Sequence, residues 1–212
     1  MFYETDKPHG LPRDPFKSCV VPRPIGWVTS LDATGRVNLA PFSFFNALAS
    51  DPPIVVLGVG GMQPHGIKDT LANCRATGEF VVNMATWDLR EAMNLTSAGV
   101  PAEVDEMALA GLTPAPSRLV RPPRVAESPI HLECRVHLIV DLPCDDPRSY
   151  NAAIFGLVVG VHIDDAALTA DGLVDVLKIR PLARLGYMDY TSIESVFSMR
   201  RPSAAEALAK VR

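Results

Sequence analysis

Short apolar runs separated by turn-forming residues dominate the hydrophobic pattern of this chain. Runs rich in β-branched and aromatic residues predict strands at 25–30, 37–40, 54–59, 79–84, 130–142, 151–163 and 185–190. The first two strands flank the turn sequence DATGR at 32–36, which predicts a hairpin. Gly156 and Gly160 lie on one face of the 151–163 strand, where they permit bending or the close approach of another backbone.

Helical periodicity is weaker than strand periodicity in this sequence. It predicts helices at 68–75, 87–97 and 104–110, and a solvated terminal helix at 203–212. Residues 41–50 lack clean periodicity, and we expect loops over 60–66 and most of 99–128. Strands that follow one another without helical crossovers disfavour a doubly wound α/β sheet. The pattern therefore predicts a mainly β fold, a β-barrel with a few peripheral helices.

Composition narrows this picture. Nineteen of the 212 residues are proline, about 9% against a usual share of about 5%, and they are spread along the chain. Proline interrupts helices and sheets, so we expect short elements and exclude a long helical bundle. We predict a single domain over 1–212, with an N-terminal arm at 1–20 and a C-terminal tail at 200–212.

Charge and cysteine content point to a cytoplasmic protein. The formal net charge of −4 disfavours a general nucleic-acid binder, which needs a basic surface. No apolar run approaches the roughly 18 residues that span a membrane, and the chain begins with no basic-then-apolar signal sequence. The four cysteines form no CxxC pair, which is typical of free thiols in a reducing compartment. We expect neither a nucleic-acid nor a membrane partner.

Several familiar catalytic motifs are absent. The GVGG sequence at 58–61 follows a strand, but Gln63 occupies the sixth position of a G-x-G-x-x-G motif. The sequence also contains no G-x-x-x-x-G-K-[ST] loop and no G-x-S-x-G elbow. The Rossmann and P-loop interpretations therefore fail, and the sequence gives no support for nucleophilic catalysis by a serine or cysteine.

A metal site is the next candidate, because His131, Cys134 and His137 are close in sequence. Side chains alternate along a strand, so Cys134 faces away from both histidines. We predict a core cysteine on one face and a polar outer face on the other, and no metal site. That outer face would comprise His131, Glu133, Arg135 and His137.

Lys68, Asp69 and Thr70 form a candidate phosphate site. They open a predicted helix just after a glycine-containing loop. A helix start offers free backbone N–H groups and the positive end of the helix dipole, to which Lys68 adds a charge and Thr70 a hydroxyl. In the alternative interpretation, Asp69 merely favours the first helical turn and Lys68 is solvated. The local residues leave both interpretations open.

The first hairpin is a candidate site for a flat heteroaromatic ligand. It concentrates polar groups beside large aromatic rings, and such a ligand needs apolar faces and polar edges. The polar residues are Thr29, Ser30, Asn38, Ser43 and Asn46, and the aromatic residues are Trp27, Phe42, Phe44 and Phe45. The alternative interpretation is a packed barrel core with polar turn residues.

Seven motifs then occur in a recognisable order between about residues 10 and 190. They are PRPIGWVTS (22–30), NLAPFSFFN (38–46), DPP (51–53), KDT (68–70), GEFVVN (78–83), ESPIHLEC (127–134) and RLGYMDY (184–190). In this ordered set the sequence resembles the flavin reductase-like proteins with the FMN-binding split β-barrel. Each motif alone is weak, whereas the ordered set is specific.

The resemblance implies a set of FMN contacts. The isoalloxazine ring would lie against the first hairpin, Asn46 would reach the ribityl or phosphate region, and Lys68 and Thr70 would hold the phosphate. Arg23 would be a further contact. The implied cofactor-binding residues are Arg23, Trp27, Val28, Thr29, Ser30, Ala40, Pro41, Ser43, Phe44, Asn46, Lys68 and Thr70.

Family members are usually homodimers with FMN near the subunit interface, so Tyr187 and Tyr190 would be available to the other subunit's site. This sequence has Tyr187 where a second glycine is common in the RLGYMDY motif. We expect its ring to narrow the ligand pocket or to cover the flavin.

The implied activity is an NAD(P)H-dependent flavin reductase that passes hydride from NADH or NADPH to FMN. The chemistry belongs mostly to the flavin, so no catalytic side chain is assigned. A partner monooxygenase is one candidate acceptor. The alternatives are an FMN-binding carrier or redox-sensing module without reductase turnover, and the same barrel with a deazaflavin or haem.

Overall fold

A computed structural model describes residues 1–209 of the chain. Its strands are β1 (Arg23–Pro24), β2 (Gly26–Leu31), β3 (Val37–Phe42), β4 (Phe45–Ser50), β5 (Pro53–Gly60), β6 (Met62–Gln63), β7 (Gly66–Ile67), β8 (Glu79–Met84), β9 (Pro114–Ala115), β10 (Arg124–Val125), β11 (Ile130–Leu142), β12 (Asn151–Ile163), β13 (Leu182–Gly186) and β14 (Asp189–Ser192). Its helices are α1 (Phe16–Cys19), α2 (Asp69–Thr77), α3 (Arg90–Leu95), α4 (Glu106–Leu109), α5 (Val176–Ile179) and α6 (Ala204–Ala209), with a 3-10 turn at Asp165–Ala167.

A seven-stranded antiparallel sheet forms the framework of the protein. Its strand order is β3-β2-β8-β11-β12-β5-β4. Strands β1, β13 and β14 form a second sheet, and β9–β10 and β6–β7 are small two-stranded ladders. No helix within residues 1–209 is both long enough and apolar enough to cross a membrane.

Both faces of the large sheet carry apolar clusters, and strand alternation divides the side chains of β2 between two of them. Val28 of β2 belongs to the first cluster together with Leu57 and Phe80. Its neighbour Trp27 belongs to the second cluster, which also holds Met107 of α4. Successive side chains of a strand point to opposite faces, so one short strand contributes to both clusters.

The predicted strands at 79–84, 130–142 and 151–163 match the observed bounds of β8, β11 and β12. These strands are rich in β-branched and other apolar residues, a composition that favours a strand. Gly156 of β12 allows another group to approach closely, as predicted, but that group is a side chain rather than a backbone segment. A Cβ at this glycine would overlap the fully buried Phe80 ring.

Other predicted elements differ from the structure. The 41–50 segment contains the edge strand β4, whose residues are mostly exposed and therefore show no apolar alternation. The predicted single strand at 185–190 is interrupted by a hairpin turn. Residues 185–186 end β13, residues 187–188 form the turn and residues 189–190 begin β14. The chain reverses there because Gly186 (φ 136°) and Tyr187 (φ 45°) both have positive φ.

The remaining corrections concern short elements. The segment predicted as a loop at 60–66 contains β6 and the start of β7, and the N-terminal arm contains α1. The helices predicted at 87–97 and 104–110 are observed as the shorter α3 and α4. The predicted terminal helix is observed as Ala204–Ala209, and its residues 210–212 lie outside the described residues.

The predicted polar outer face of β11 is wrong for two of its residues. His131 and Glu133 are 3% and 0% exposed, because the irregular segment 113–125 lies over them. Glu133 accepts hydrogen bonds from the backbone N–H groups of Arg118, Leu119 and Val120. Cys134 is a buried core residue, as predicted.

Candidate functional site

Two cavities meet along Pro41, Phe42 and Lys68. The large cavity encloses about 680 Å³ and the small cavity about 50 Å³. The large cavity is lined by Lys17, Arg23, residues 41–44, residues 58–61, Lys68, Leu142, Pro143, Asn151, Ala152, Arg184, Gly186 and Tyr187. The small cavity is lined by Asn38, residues 40–42, Gln63, residues 68–70, residues 96–98 and Glu106.

Lys68 lies where the two cavities join, at the residue immediately before α2. The carbonyl of Lys68 accepts the N–H groups of Leu71 and Ala72, which starts the helix and leaves its first N–H groups without helical partners. Among the described residues, Lys68 takes part in no ion pair. Asp69 pairs with His65 at 3.1 Å, which offsets its negative charge when that histidine is protonated. The start of α2 thus combines a cation with free backbone donors.

A buried polar network holds the start of α2 against the first hairpin. Asn38 of β3 donates to the hydroxyl oxygens of Thr70, at 2.9 Å, and Ser30, at 3.3 Å. Asn73 donates to the same oxygen of Ser30 at 3.0 Å. Because Thr70 accepts from Asn38, its hydroxyl proton is free to donate towards the small cavity.

Glu106 contributes a buried carboxyl group to the small cavity. It is 6% exposed, and one carboxylate oxygen accepts the backbone N–H of Leu39 at 3.1 Å. Burial raises the pKa of Glu106 above its ordinary value, despite that hydrogen bond. Sequence reasoning missed this residue, because an acidic residue in the first turn of a helix is ordinarily a solvated one.

Seven of the twelve predicted FMN contacts line these cavities. Arg23, Pro41, Ser43, Phe44 and Lys68 line the large cavity, and Ala40 and Thr70, with Pro41 and Lys68 again, line the small one. Ser30 is buried directly behind Thr70 in the polar network. Asn46 lies on the exposed edge strand β4 and lines neither cavity, so its predicted contact has no support in this geometry.

The other three predicted contacts are core side chains. Trp27 donates its indole N–H to the Thr96 hydroxyl at 2.9 Å, Thr29 donates to the Pro123 carbonyl at 2.5 Å, and Val28 packs in the first apolar cluster. The packed-core interpretation holds for these residues because both faces of β2 are covered. The side chains of Trp27, Val28 and Thr29 therefore line neither cavity, and contacts of FMN with the backbone groups of these residues stay a prediction.

The large cavity also holds residues that sequence reasoning did not select. Lys17 and Asn151 carry no local signal, whereas Arg184 lies inside the RLGYMDY motif. Tyr187 lines the large cavity, as its predicted narrowing role requires. Tyr190 does not line it, and its ring lies 4.3 Å below the Arg184 guanidinium.

The large cavity is strongly basic. Lys17, Arg23, Lys68 and Arg184 line it, and among residues 1–209 no aspartate or glutamate does so. Phe44 and Tyr187 are about half exposed there and offer apolar ring faces. The arrangement is suited to a planar ligand that carries more than one negative charge.

Family membership follows from a sequence comparison. The family model described as "Flavin reductase like domain" matches residues 18–184. The chain belongs to the flavin reductase-like family. This membership confirms the resemblance and the predicted fold class, a mainly β split barrel with peripheral helices. It also supports a flavin-related oxidoreductase.

Three comparisons show how similar this flavin reductase-like chain is to other proteins. An uncharacterized protein of Aquifex aeolicus is 40% identical over 167 residues, which cover 79% of this chain and 82% of that protein. Nitrilotriacetate monooxygenase component B from Bacillus cereus is 28% identical with a TM-score of 0.83, covering 94% of this chain and 98% of that one. The 2-nitrobenzoate 2-nitroreductase NbaA from Pseudomonas fluorescens is 30% identical with a TM-score of 0.77, covering 89% of each chain.

Proposed function

We propose that this protein binds FMN across the two joined cavities and catalyses its reduction by NADH or NADPH. The observation that carries the proposal is Lys68, which stands at the junction of the cavities and at the start of α2. The size of the large cavity supports this proposal, because pockets of about 300–1,000 Å³ take ligands of this kind.

The residues around the junction fit a phosphate monoester. Lys68 would supply a positive charge, and the first backbone N–H groups of α2 and the Thr70 hydroxyl would supply hydrogen-bond donors. Glu106 and Asp69 are the nearby carboxyl groups that would oppose a phosphate. Burial raises the pKa of Glu106, which weakens its opposition, and His65 contacts the Asp69 carboxylate at 3.1 Å.

The large cavity fits the isoalloxazine ring. Pro41 and Phe44 would contact the faces of the ring, while Ser43 and Asn151 would offer hydrogen bonds to its edges. Bound FMN supplies the hydride-accepting chemistry. The protein's part is to hold the ring, leave one face open to the donor and exclude water from the other. Tyr187 would narrow the open side.

The similar proteins suggest the electron acceptor. Component B of nitrilotriacetate monooxygenase supports a partner monooxygenase that receives reduced flavin. The 30% identity to NbaA favours a second candidate, direct reduction of a small organic acceptor in the same cavity. Turnover with free FMN as acceptor would support the first candidate and exclude a carrier or redox sensor without reductase activity.

A homodimer is part of the proposal. Strands β11 and β12 carry exposed apolar side chains, including Leu138 at 51% and Val161 at 57% exposure. A second copy of the chain would remove this surface from water. Light scattering on the purified protein tests the dimer, and a mass of one chain would refute it. The four free cysteines support the proposed cytoplasmic location.

The first test is the affinity for FMN, measured by quenching of flavin fluorescence. Lys68→Ala should weaken binding by about 1.5–3 kcal/mol, or roughly 10- to 150-fold, because a hydrogen bond to a charged group is lost. Lys178→Ala is the matched control, since Lys178 is exposed and lines neither cavity. Equal affinities of the two variants would remove Lys68 from the site.

The second test is anaerobic bleaching of the bound flavin by NADH or NADPH. Bleaching by one donor, followed by turnover in the presence of excess FMN, is the expected result. A protein without micromolar affinity for FMN would refute the proposal altogether. Bound flavin that neither donor bleaches would refute the reductase and favour the carrier module.

A further inference from the structure

The charge of the large cavity exceeds what one phosphate needs. Four basic side chains and no acidic one line it within the part of the chain that the structure describes, and the proposed FMN phosphate uses Lys68. Lys17, Arg23 and Arg184 are then left without a counter-charge. Cations drawn together in a partly desolvated cavity repel each other, so such a cluster implies an anionic ligand.

Arg23 and Arg184 form the centre of this cluster. They are directly opposite each other in the β1–β13 register, where like charges are destabilising. Arg23 is only 7% exposed, and neither arginine forms an ion pair with any residue in the described range 1–209. Burial and the positive charge of Arg184 lower the pKa of Arg23. The fold thus holds two guanidinium groups together without neutralising them.

Other contacts hold both guanidinium groups in place. Arg23 donates to the backbone carbonyls of Lys17 and Val20 and lies 5.7 Å from the Phe44 ring centroid. Arg184 stacks 4.3 Å over the Tyr190 ring and donates to the backbone carbonyl of Tyr187. These contacts orient the groups but bring no negative charge. Arg23 donates to these acceptors through Nη1 and Arg184 through Nη2, so each guanidinium group keeps further N–H donors for a carboxylate or phosphate.

We propose that Arg23 and Arg184 form a second anion subsite beside the flavin, which binds the carboxylate or phosphate group of a planar substrate. The inference rests on the proposed function, because it takes Lys68 and the start of α2 as the FMN phosphate site. Phe44 and Tyr187 line the same cavity and would pack against the substrate ring. The anionic group belongs either to a dinucleotide electron donor or to a small aromatic acid.

The test compares an anion with its neutral counterpart on the FMN-loaded protein. Benzoate, benzamide and inorganic pyrophosphate are titrated separately, and the change in the flavin absorption spectrum gives each dissociation constant. We expect at least one anion to bind tenfold or more tightly than benzamide. Tighter binding of pyrophosphate would identify the dinucleotide donor as the source, and tighter binding of benzoate the aromatic acid.

Arg184→Met should abolish that preference and leave the FMN affinity within about twofold of the parent protein's. Arg118→Met is the matched control, because Arg118 is exposed and lines neither cavity. Arg184→Lys should retain part of the preference, since it keeps the charge but loses the paired donors. Circular dichroism establishes that each variant is folded.

Two results would overturn the subsite. One is equal binding of anions and benzamide, and the other is a loss of FMN affinity in Arg184→Met as large as that in Lys68→Ala. The second result would assign the arginines to the FMN phosphate instead. If the protein binds no FMN, the proposed function fails. Calorimetric titration of benzoate and pyrophosphate into the flavin-free protein then still tests whether Arg23 and Arg184 bind an anion.

Discussion

Replacing Glu133 by glutamine should destabilise the protein by about 3 kcal/mol. This carboxylate is 0% exposed and accepts the N–H groups of Arg118 at 2.8 Å, Leu119 at 2.6 Å and Val120 at 3.2 Å. His162 contacts the same carboxylate at 2.5 Å. Glutamine has the same shape but only one accepting oxygen. Its NH2 group would therefore face N–H groups that the carboxylate now accepts, and no hydrogen bond could form between them.

The magnitude follows from the bonds that glutamine cannot replace. One carboxylate oxygen of Glu133 serves both Leu119 and Val120, and the other serves Arg118 and His162. Either orientation of the amide loses two of these contacts. A hydrogen bond to a charged group contributes about 1.5–3 kcal/mol. Two lost contacts at the lower end of this range give about 3 kcal/mol.

The difference in the free energy of unfolding between the parent protein and Glu133→Gln should also depend on pH. Burial alone would raise the pKa of Glu133, but the N–H groups of Arg118 and Leu119 and the contact with His162 outweigh it and lower the pKa. A carboxyl with a lowered native pKa adds stability above its unfolded pKa, and this stability is lost as pH falls through the native value. The advantage over Glu133→Gln should be full at pH 7 and shrink below about pH 4.5.

Urea unfolding followed by circular dichroism measures the effect. Glu127→Gln is the matched control, because this carboxylate accepts the N–H of Thr113 in the same segment but is exposed. We expect the control to cost less than about 1 kcal/mol. If Glu133→Gln unfolds at the same urea concentration as the control, the buried carboxylate does not anchor the 113–125 segment and the reasoning is refuted.

Two further predictions concern the core. Gly156→Ala should lower the free energy of unfolding by about 1–3 kcal/mol in chemical denaturation, because its Cβ would overlap the buried Phe80 ring. The control Gly99→Ala, whose Cβ would meet open space, should change the free energy of unfolding by less than about 0.5 kcal/mol. Equal effects of the two substitutions would contradict the close packing of Gly156 against Phe80. His131 contacts the Val125 carbonyl at 2.8 Å, and burial lowers the pKa of His131 from 6.5 to about 4. As pH falls, His131 takes up its proton at a higher pH in the unfolded chain than in the folded one, so the free energy of unfolding should fall between pH 6.5 and about 4. In His131→Gln this part of the pH dependence should disappear.

The sequence by itself determined the elements that are marked by continuous runs of β-branched and apolar residues. The strands β8, β11 and β12 were predicted to the residue, because long runs of β-branched and apolar side chains favour an extended backbone whatever surrounds them. The start of α2 was likewise predicted with Lys68 at its entrance. The FMN-binding interpretation of the KDT motif came from the same local signal and the family resemblance.

Tertiary structure alone decided which faces are covered. The polar residues Glu133 and His131 look solvated on a single alternating strand, yet the 113–125 segment buries them. Trp27 and Thr29 look available to a ligand, yet they contact Thr96 and Pro123, which are distant in sequence. No local pattern contains the identity of such a covering segment.

The distribution of charge in the cavity was also decided by the fold. Arg23 and Arg184 are 161 positions apart in sequence, and only the pairing of β1 with β13 puts them opposite each other. Local sequence sets the preferences of the backbone, because those arise from neighbouring residues. Burial and charge pairing arise from contacts between distant segments, so they exist only once the chain has folded.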